Sequence, residues 1–492
     1  MSKIKQKNNK IDKLDMENKI YENPLTTRYA SEEMNYIFSP EFKFTTWRHL
    51  WVSLAKAEKA LGLKISDKQI KDLEKYQDKL NIDVALKKEK EIRHDVMSHI
   101  YAYGEQAKSA KGIIHLGATS CFVGDNTDII VYRQALNIIK IKLIEVIRLL
   151  KKFSLKYKNL PTLAWTHFQP AQPTTVGKRA TLWLNDIIYD FNDINYVIDS
   201  LEFLGCKGTT GTQASFLDLF EGDVSKCKKL DLLISKDFNF KNVVKVSGQT
   251  YSRKQDYKIL SCLSSIAISA HKFTNDLRLL QHLKEVEEPF ESMQVGSSAM
   301  PYKRNPMRSE RIASLSDFVM SLSASTMIVA STQWFERTLD DSANKRLSIP
   351  QSFLAVDGIL NLYINIIDNL VVNQKIISKH LNEELPFMVS ENIMMEEVKK
   401  GKDRQKIHEK IRKLSIIAGN NVKKEGKENN LIDLILNDKD FSFTKDELEK
   451  LLDPKKYIGL SEKQVEDFIR NTVDVILNKY KNVKINKIKI NV

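Results

Sequence analysis

The chain has 492 residues, which is longer than one hydrophobic core usually serves, so we expect two or three domains. Its 42% apolar and 28% charged residues are typical of a soluble globular protein, and its formal net charge is +14. Only 17 glycines and 11 prolines interrupt the chain, and this scarcity of turn residues favours long helices over many short strands.

The four cysteines, Cys121, Cys206, Cys227 and Cys262, are far apart in the sequence. Because no two of them form a Cys-x-x-Cys pair, they argue against a disulfide framework and a thiolate zinc site and favour a reducing compartment. The polar segment 1–10 lacks the apolar core of a secretory signal. We therefore expect a cytoplasmic protein that does not bind a membrane.

Much of the lysine excess lies at the two ends of the chain. Four lysines in 3–10 precede the first acidic residue, and five more in 479–489 close the chain without an acid among them. Such tails can bind nucleic acid or anionic lipid by charge alone. We interpret them as solvated ends and do not expect nucleic acid to be a partner.

Long segments without glycine or proline occupy the middle of the chain. They are 125–160, 178–204, 249–288 and 307–349. Each is longer than the roughly 8–20 residues of an ordinary globular helix, which indicates long bundle helices. We predict an all-α fold of three helical domains. They are an N-terminal domain at 1–119, a central bundle of long helices at 120–372, and a smaller C-terminal domain at 373–492.

The segment 312–335 has one charged residue, Asp317, and by its apolar composition could be mistaken for a membrane helix. Its many Ser, Thr and Ala residues, and the charged residues just before it, indicate instead a helix packed on all sides in a bundle. The rest of the chain does not look large enough to cover such a helix. The segment therefore indicates that subunits share a core.

Two clusters combine arginine with acidic residues, at 93–95 and at 334–346. Arginine binds carboxylate and phosphate in a bidentate manner, so several arginines imply a ligand with several anionic groups. The alternative is a charged helix end with internal ion pairs, for example Arg346 with Asp340 or Asp341.

Two segments contain glycine and hydroxyl groups. In 115–128, Thr119 or Ser120 either caps a helix or receives a carboxylate together with free backbone N–H groups. In 205–212 the glycines permit close approach to an anion, but the spacing lacks the nucleotide P-loop pattern.

His167 lies in the Pro-containing polar segment 165–179, where it has no apolar face to pack. Because histidine titrates near neutral pH, this position favours proton transfer over the alternative, a structural hydrogen-bonding role.

The segment 296–306, with one Gly, two Pro and two Ser, is a predicted loop set among long helices. Its adjacent hydroxyls, Ser297 and Ser298, together with Lys303 and freed backbone N–H groups, suit stabilisation of an oxyanion. That oxyanion is either a substrate carboxylate or a serine alkoxide. The alternative is a surface loop with incidental serines.

This segment resembles the signature of the fumarase/aspartase superfamily, Gly-Ser-Ser-x-Met-Pro-x-Lys-x-Asn-Pro. Within the superfamily, residues 20–480 resemble the adenylosuccinate lyase family. The stretches with the resemblance are 24–31, 93–97, 166–172, 298–311 and 334–346. The glycine-containing segments 115–128 and 208–211 fall where the superfamily has further substrate-binding segments.

The resemblance implies an all-α homotetramer with a twenty-helix core, five helices per subunit, and active sites built from loops of three subunits. It implies β-elimination of fumarate from adenylosuccinate, giving AMP, and from the succinylated aminoimidazole carboxamide ribotide (SAICAR), giving AICAR, in purine synthesis. The sequence has no metal cluster and no cofactor motif, and we expect neither a metal nor a cofactor.

By resemblance, Ser297 is the general base, and Lys303 and loop N–H groups stabilise its alkoxide. The sequence leaves Ser298 open as the base instead. His167 is the matching general acid, which protonates the departing nitrogen. Supporting roles are implied for His94, Lys303, Asn305 and Glu310.

His94 is expected to act near the phosphate or the leaving group, and Glu310 to orient a histidine. The substrate contacts implied residue by residue are Arg28, Tyr29, Arg93, His94, Asp95, Thr119, Ser120, Gln249, Arg311, Arg337, Ser342 and Arg346. A nucleotide monophosphate with two carboxylates calls for several cations, which this set supplies.

Three alternatives remain, and the last two differ from an enzyme in class. A sibling family such as argininosuccinate lyase shares the scaffold, but segments 28–29 and 334–346 fit a nucleotide better than an amino acid. The second alternative is a purely structural helical protein. Such a protein need not keep Ser297, Lys303 and His167, so their presence argues against it. A basic nucleic-acid-binding protein would show salt-dependent binding to random DNA.

Overall fold

The computed structural model describes residues 21–291 and 294–483. The basic segments at 3–10 and 484–489 lie outside the described residues. Within the described residues helices dominate, and the sheets are three pairs of short strands. The prediction of an all-α fold is confirmed.

The N-terminal part begins with a π-helical turn at Leu25–Tyr29. Its α-helices are α1 (Glu32–Ile37), α2 (Pro40–Ala60), α3 (Asp67–Tyr76), α4 (Ile82–Ile92) and α5 (Asp95–Gln106), followed by a 3₁₀ turn at Lys108–Ala110. Helix α2 begins at a proline, and the Ser39 side chain caps it by accepting the Phe42 N–H. Its apolar face buries Trp47 and Trp51, which anchor this part to the rest of the core.

The central part contains the long helices. They are α6 (Ser120–Lys156), α7 (Val176–Asp199), α8 (Ala214–Leu219), α9 (Val224–Asp237), α10 (Lys254–His282), α11 (Met307–Thr332) and α12 (Asp340–Asp368). Three of the predicted spans each give one long helix. The fourth, 307–349, is divided between α11 and α12, so the single helix expected there is wrong.

Segment 333–339, between α11 and α12, contains neither glycine nor proline, so no helix-breaking residue explains the break. A tertiary contact explains it instead. The Gln249 N–H donates to the Glu336 carbonyl at 2.9 Å, and Phe335 takes a left-handed conformation with φ 50°. This hydrogen bond holds the segment out of helical geometry.

The strands are short and lie between the helices. They are β1 (Pro161–Thr166), β2 (Gln169–Thr175), β3 (Glu202–Phe203), β4 (Asn242–Val243), β5 (Val286–Glu287) and β6 (Val371–Val372). Strands β1 and β2 form an antiparallel hairpin, with Thr166 opposite Gln169. The polar loop expected around His167 is therefore a two-stranded ribbon, which tolerates Pro170 and Pro173 because both of its strands are edges.

The C-terminal part contains shorter helices. They are α13 (Gln374–Met388), α14 (Ser390–Lys399), α15 (Arg404–Glu425), α16 (Leu431–Leu436), α17 (Lys445–Leu451), α18 (Ser461–Phe468) and α19 (Asp474–Asn478), with a 3₁₀ turn at Pro454–Tyr457 and a π-helical turn at Ile469–Val473. Buried side chains between Leu385 and Leu448 form their own apolar cluster, whereas Val465 and Val473 join the main core. The domain boundaries at 119 and 372 stay predictions.

Helices α11 and α12 are both long and apolar enough to cross a membrane by length and composition, a test that core helices of soluble proteins also pass. In the most apolar window of α12, 83% of the residues are buried within the chain, but in α11 only 33% are. The chain alone therefore does not pack α11 on all sides, in line with the expectation that the rest of the chain is too small to cover this helix. Met327 and Ile328 are exposed on it.

Candidate active site

A cavity of about 690 Å³ lies where helices of the N-terminal part meet the starts of α6 and α12. Its walls contain eight of the predicted substrate contacts. They are Arg93, His94, Asp95, Ser120, Gln249, Arg337, Ser342 and Arg346. We refer to this space as the arginine cavity, after Arg93, Arg337 and Arg346.

Four helices begin at the arginine cavity: α2 at Ser39, α5 at His94, α6 at Ser120 and α12 after Leu339. Helix N-termini present free N–H groups and positive partial charge, which favour anions. Neither α6 nor α12 has a side-chain hydrogen bond at its cap. Thr119 is the cap residue of α6, so the alternative that its hydroxyl caps the helix is wrong.

His94 is the cap residue of α5, and its ring has a defined role there. Its Nδ1 accepts the Met97 N–H at 3.3 Å. A neutral imidazole that accepts at Nδ1 has its proton on Nε2. His94 therefore presents an N–H donor from a residue that lines the arginine cavity.

A network of buried ion pairs ties the starts of α6 and α12 together. Arg253 donates to Asp341 at 2.6 Å through Nε and to Asp125 at 3.1 Å through Nη1. Asp341 also accepts from Arg337 at 2.7 Å, which orients this cavity residue. Lys345 contacts Asp125 as well, at 3.4 Å.

The electrostatics of the network keep the Asp125 carboxylate ionised. Burial by itself would raise the pKa of Asp125, but Arg253 and Lys345 outweigh burial and hold that pKa below its ordinary value. Burial would lower the pKa of Lys345, but Asp125 and Asp128 raise it above its ordinary value. Asp125 and Lys345 therefore both stay charged around neutral pH.

The alternative for segment 334–346, internal ion pairs, holds in part. Asp341 pairs with Arg337 of the same segment and with Arg253, whereas the example given, Arg346 with Asp340 or Asp341, is not among the ion pairs of the described residues. Arg346 lies 3.9 Å from Asp95, and its side chain is 64% exposed. Arg346 is therefore only loosely held and remains accessible to an anionic ligand.

His167 lies at the tip of the β1–β2 hairpin, in a two-residue turn. His167 and Phe168 both have positive φ, 53° and 57°, as in a type I′ turn, whose usual residues are Asn and Gly. Non-glycine residues at these angles cost about 1–2 kcal/mol each. Such strain often marks a functional position, and the turn leaves His167 exposed beside a second cavity of about 490 Å³.

The signature loop, residues 296–306, is closed by its own backbone contacts. The Asn305 side-chain amide donates to the Gly296 carbonyl at 2.8 Å, and the Lys303 N–H donates to the Met300 carbonyl at 3.0 Å. A Cβ on Gly296 would lie 2.1 Å from the Lys303 carbonyl oxygen, so only glycine fits there.

Within this loop the two serines have different surroundings. Ser297 Oγ accepts the Ala299 N–H at 3.3 Å and the Met300 N–H at 3.1 Å. Two converging N–H donors stabilise negative charge on an oxygen. The loop geometry therefore suits an alkoxide on Ser297, a preference that the sequence left open.

A buried carboxylate fixes the junction between the signature loop and α11. Glu288 accepts the backbone N–H groups of Arg308 and Ser309 at 3.1 and 3.0 Å. Arg308 in turn donates to the Pro289 carbonyl at 2.9 Å. Glu310 and Arg311 follow in the first turn of α11, with Glu310 exposed and Arg311 half-buried.

Comparison with known proteins identifies the family. A lyase family model matches residues 35–321, and an adenylosuccinate lyase C-terminus model matches residues 386–468. Adenylosuccinate lyase of Schizosaccharomyces pombe is 50% identical over 94% of this chain and 97% of its own length. That of Saccharomyces cerevisiae is 48% identical over 96% and 99%.

The chain belongs to the adenylosuccinate lyase family. The predicted family is confirmed, and the sibling argininosuccinate lyase family is not the one to which it belongs. Among solved structures, the 3-carboxy-cis,cis-muconate lactonizing enzyme from Pseudomonas putida superimposes with a TM-score of 0.78, covering 91% of this chain and 98% of that one. At 21% identity this likeness concerns the fold.

In a single chain of this adenylosuccinate lyase family member, the predicted site residues fall into separate places. Among the described residues, neither the signature loop nor the hairpin lines the arginine cavity. Arg28 is exposed, and Tyr29 packs against Gly358 and accepts the Asn361 amide through its carbonyl at 3.3 Å. The four predicted substrate contacts that do not line the cavity are Arg28, Tyr29, Thr119 and Arg311.

Several cavity residues were not predicted. Lys43, Asp125, Asp128 and Lys345 all line the arginine cavity. Lys43 stands in an ordinary amphipathic helix, and the partners of Lys345 lie more than two hundred residues away in sequence. Local sequence patterns contain no signal for such contacts.

The described residues contain no cluster of three or more His, Cys, Asp or Glu side chains arranged to hold a metal ion.

Proposed function

We propose that this chain catalyses the β-elimination of fumarate from adenylosuccinate, giving AMP, and from SAICAR, giving AICAR. The relatives at 48–50% identity are adenylosuccinate lyases, and the similarity to them extends over nearly their whole length. The observation that supports the chemistry best is the Ser297 oxygen, which accepts two backbone N–H groups in the signature loop.

The reaction removes a proton from the carbon next to a succinyl carboxylate and breaks the bond from the neighbouring carbon to nitrogen. That proton is weakly acidic, so the base must be strong and the carbanion stabilised. We assign Ser297 as the base, because its alkoxide gains the two loop N–H donors. Lys303 lies in the same loop and supplies positive charge.

The departing nitrogen needs a proton, and we assign His167 as the general acid. A histidine on an exposed, strained turn can reach into a site that another element completes. His94, with its Nε2–H, is assigned to the phosphate or leaving-group region. Glu310 is assigned to orienting a histidine.

The arginine cavity fits the rest of the substrate. A nucleotide monophosphate with two carboxylates needs several cations, and Arg93, Arg337 and Arg346 line this space together with four helix N-termini. We assign Thr119 and Ser120, at the start of α6, to a substrate carboxylate.

We propose a homotetramer in which each site combines the arginine cavity, the hairpin and the signature loop of three different subunits. The separation of the hairpin and of the signature loop from the arginine cavity in one chain supports a shared site. So do the apolar residues exposed on three neighbouring long helices. They are Leu182 and Tyr189 on α7, Ile268 on α10, and Met327 and Ile328 on α11. Such a patch on long helices is typical of a subunit interface.

We also propose that the enzyme is cytoplasmic, because its four cysteines are buried and free.

The direct test is fumarate release by the purified protein incubated with adenylosuccinate, with argininosuccinate as the parallel control. Release from adenylosuccinate alone supports the proposal. Release from neither substrate by a folded protein contradicts it, and release from argininosuccinate alone contradicts the nucleotide assignment.

A further inference from the structure

Lys43 is a cation of the arginine cavity that has no assigned role. It lies in the first turns of α2, half-buried, among the residues that line the cavity. Its ammonium stands 4.9 Å from the Trp47 ring centroid and 5.2 Å from that of Phe44. Cation–π contacts of this kind restrict the ammonium before any ligand arrives.

Unlike Arg337 and Lys345, Lys43 lacks a close counter-ion. Arg337 and Lys345 each pair with an aspartate, whereas no salt bridge within 4.0 Å involves Lys43 in residues 21–291 and 294–483. Burial lowers the pKa of Lys43, and the more distant Asp128 and Asp95 only partly oppose this effect. A partly desolvated ammonium without a contact partner gains stabilisation from an anionic ligand.

Arg346 is the second loosely held cation of this region. It belongs to the charged groups close enough to influence Lys43, and its only described acidic partner, Asp95, is 3.9 Å away. Two accessible cations suit a dianion better than a single carboxylate. A phosphate monoester carries a charge of about −1.5 to −2 at neutral pH.

The position of the reacting groups decides which end of the substrate lies here. The signature loop and the hairpin supply Ser297 and His167, and neither element lines this cavity in the same chain. The succinyl end must therefore meet elements that enter from other subunits. The opposite end of the nucleotide, which carries the phosphate, then lies in the interior of the cavity.

We propose that Lys43 is a further substrate-binding residue, which contacts the phosphate monoester of the nucleotide together with Arg346. This inference rests on the proposed function. It adds one contact to the substrate contacts that the sequence motifs predicted. This contact distinguishes a nucleotide from a nucleoside, because only the nucleotide has a phosphate.

The test compares the variants Lys43→Met and Lys43→Arg with the wild type. Lys56→Met is the matched control, because Lys56 lies on the same helix but pairs with Glu74 outside the cavity. Calorimetric titration with AMP, with adenosine and with fumarate gives three dissociation constants for each protein. Thermal melting monitors folding.

Lys43→Met should weaken AMP binding about tenfold or more, the scale of a lost hydrogen bond to a charged group. Adenosine and fumarate should bind as they do to the wild type, because neither has a phosphate. Lys43→Arg should recover most of the AMP affinity, and Lys56→Met should change none of the three constants.

Three results would overturn the inference. They are an unchanged AMP affinity in Lys43→Met, an equal loss for AMP and adenosine, and a loss confined to fumarate, which would place Lys43 at a carboxylate. Absence of AMP binding by the wild type would overturn it too. Fumarate release is measured separately, so a wild-type protein that binds AMP but releases no fumarate would contradict the proposed function alone.

Discussion

Ser297 and Ser298 have the same chemistry one residue apart, and the roles that we propose for them follow from the loop rather than from the side chain. Ser297 Oγ accepts two backbone N–H groups, from Ala299 and Met300. An alkoxide formed there is stabilised without any rearrangement of the loop. The sequence supplies both hydroxyls but cannot distinguish them, because these hydrogen bonds depend on how the loop closes.

We expect Ser297→Ala to lower kcat by roughly 10²–10⁴-fold, the usual contribution of a general base. Ser298→Ala serves as the matched control and should stay within about tenfold of the wild type. Steady-state fumarate release gives both values. A larger loss in Ser298→Ala than in Ser297→Ala would exchange the two assignments.

Glu58 on α2 shows how burial alone sets a charge state. Both carboxylate oxygens are buried, and neither has a hydrogen-bond partner among the described residues. Burial raises the pKa of Glu58 from its ordinary 4.5 to about 9. The group is therefore protonated in the folded protein at neutral pH, whereas it is ionised in the unfolded chain.

For an acid with a raised folded-state pKa, the stabilising contribution is complete below pH 4.5 and is lost as the pH rises towards 9. Glu58→Gln removes this titration. We expect the wild type to lose stability relative to Glu58→Gln by up to about 1.4 kcal/mol per pH unit across that range. Melting temperatures at pH 5 and pH 8 measure the difference, and a gap independent of pH would contradict it.

At the scale of elements, the signature loop depends on a close backbone approach. A Cβ on Gly296 would lie 2.1 Å from the Lys303 carbonyl oxygen, so Gly296→Ala must open the loop. We expect kcat to fall while AMP affinity stays unchanged, because the arginine cavity lies on other elements.

The matched control for this substitution is Gly419→Ala, inside α15. A Cβ there has no neighbour within 4 Å, so the protein should keep its activity and gain up to about 1 kcal/mol of stability. If Gly296→Ala retained full kcat, the loop geometry would not control the base.

The elements also show what the sequence can predict. Long spans without glycine or proline marked α6, α7 and α10, and the motif marked the signature loop. The break between α11 and α12 was missed, because it depends on a hydrogen bond from Gln249 to Glu336. Local propensity cannot report such a distant partner.

The candidate site also contains both residues that the sequence predicted and residues that it did not. Arg93, Arg337 and Arg346 were predicted from motifs and meet in one cavity. Arg253, which orients Arg337 through Asp341, was not predicted. Its partners are distant in sequence, so its role depends on the packing of α6, α10 and α12 rather than on any local pattern.

For the whole molecule, the central issue is that neither the hairpin nor the signature loop reaches the arginine cavity of its own chain. His167 is at the hairpin tip, Ser297 in the signature loop, and the arginines line a cavity that neither element reaches in the same chain. Helix α11 also leaves apolar side chains exposed. The proposed homotetramer accounts for both observations.

The mass of the purified protein tests the first part of this account. Light scattering should give four times the chain mass of 56.7 kDa. We expect charged substitutions at the exposed positions Met327 and Ile328 of α11 to dissociate the assembly and abolish activity together. A monomer with full activity would contradict a shared site.

The most direct test of the central claim is complementation between two inactive variants. His167→Ala and Ser297→Ala, each with a different affinity tag, are co-expressed, and hybrid assemblies are isolated through both tags. If each site takes these residues from different subunits, random mixing leaves about a quarter of the sites intact, and fumarate release from adenylosuccinate returns to about that fraction of the wild-type rate. Hybrids that contain both tags but release no fumarate would contradict the shared site.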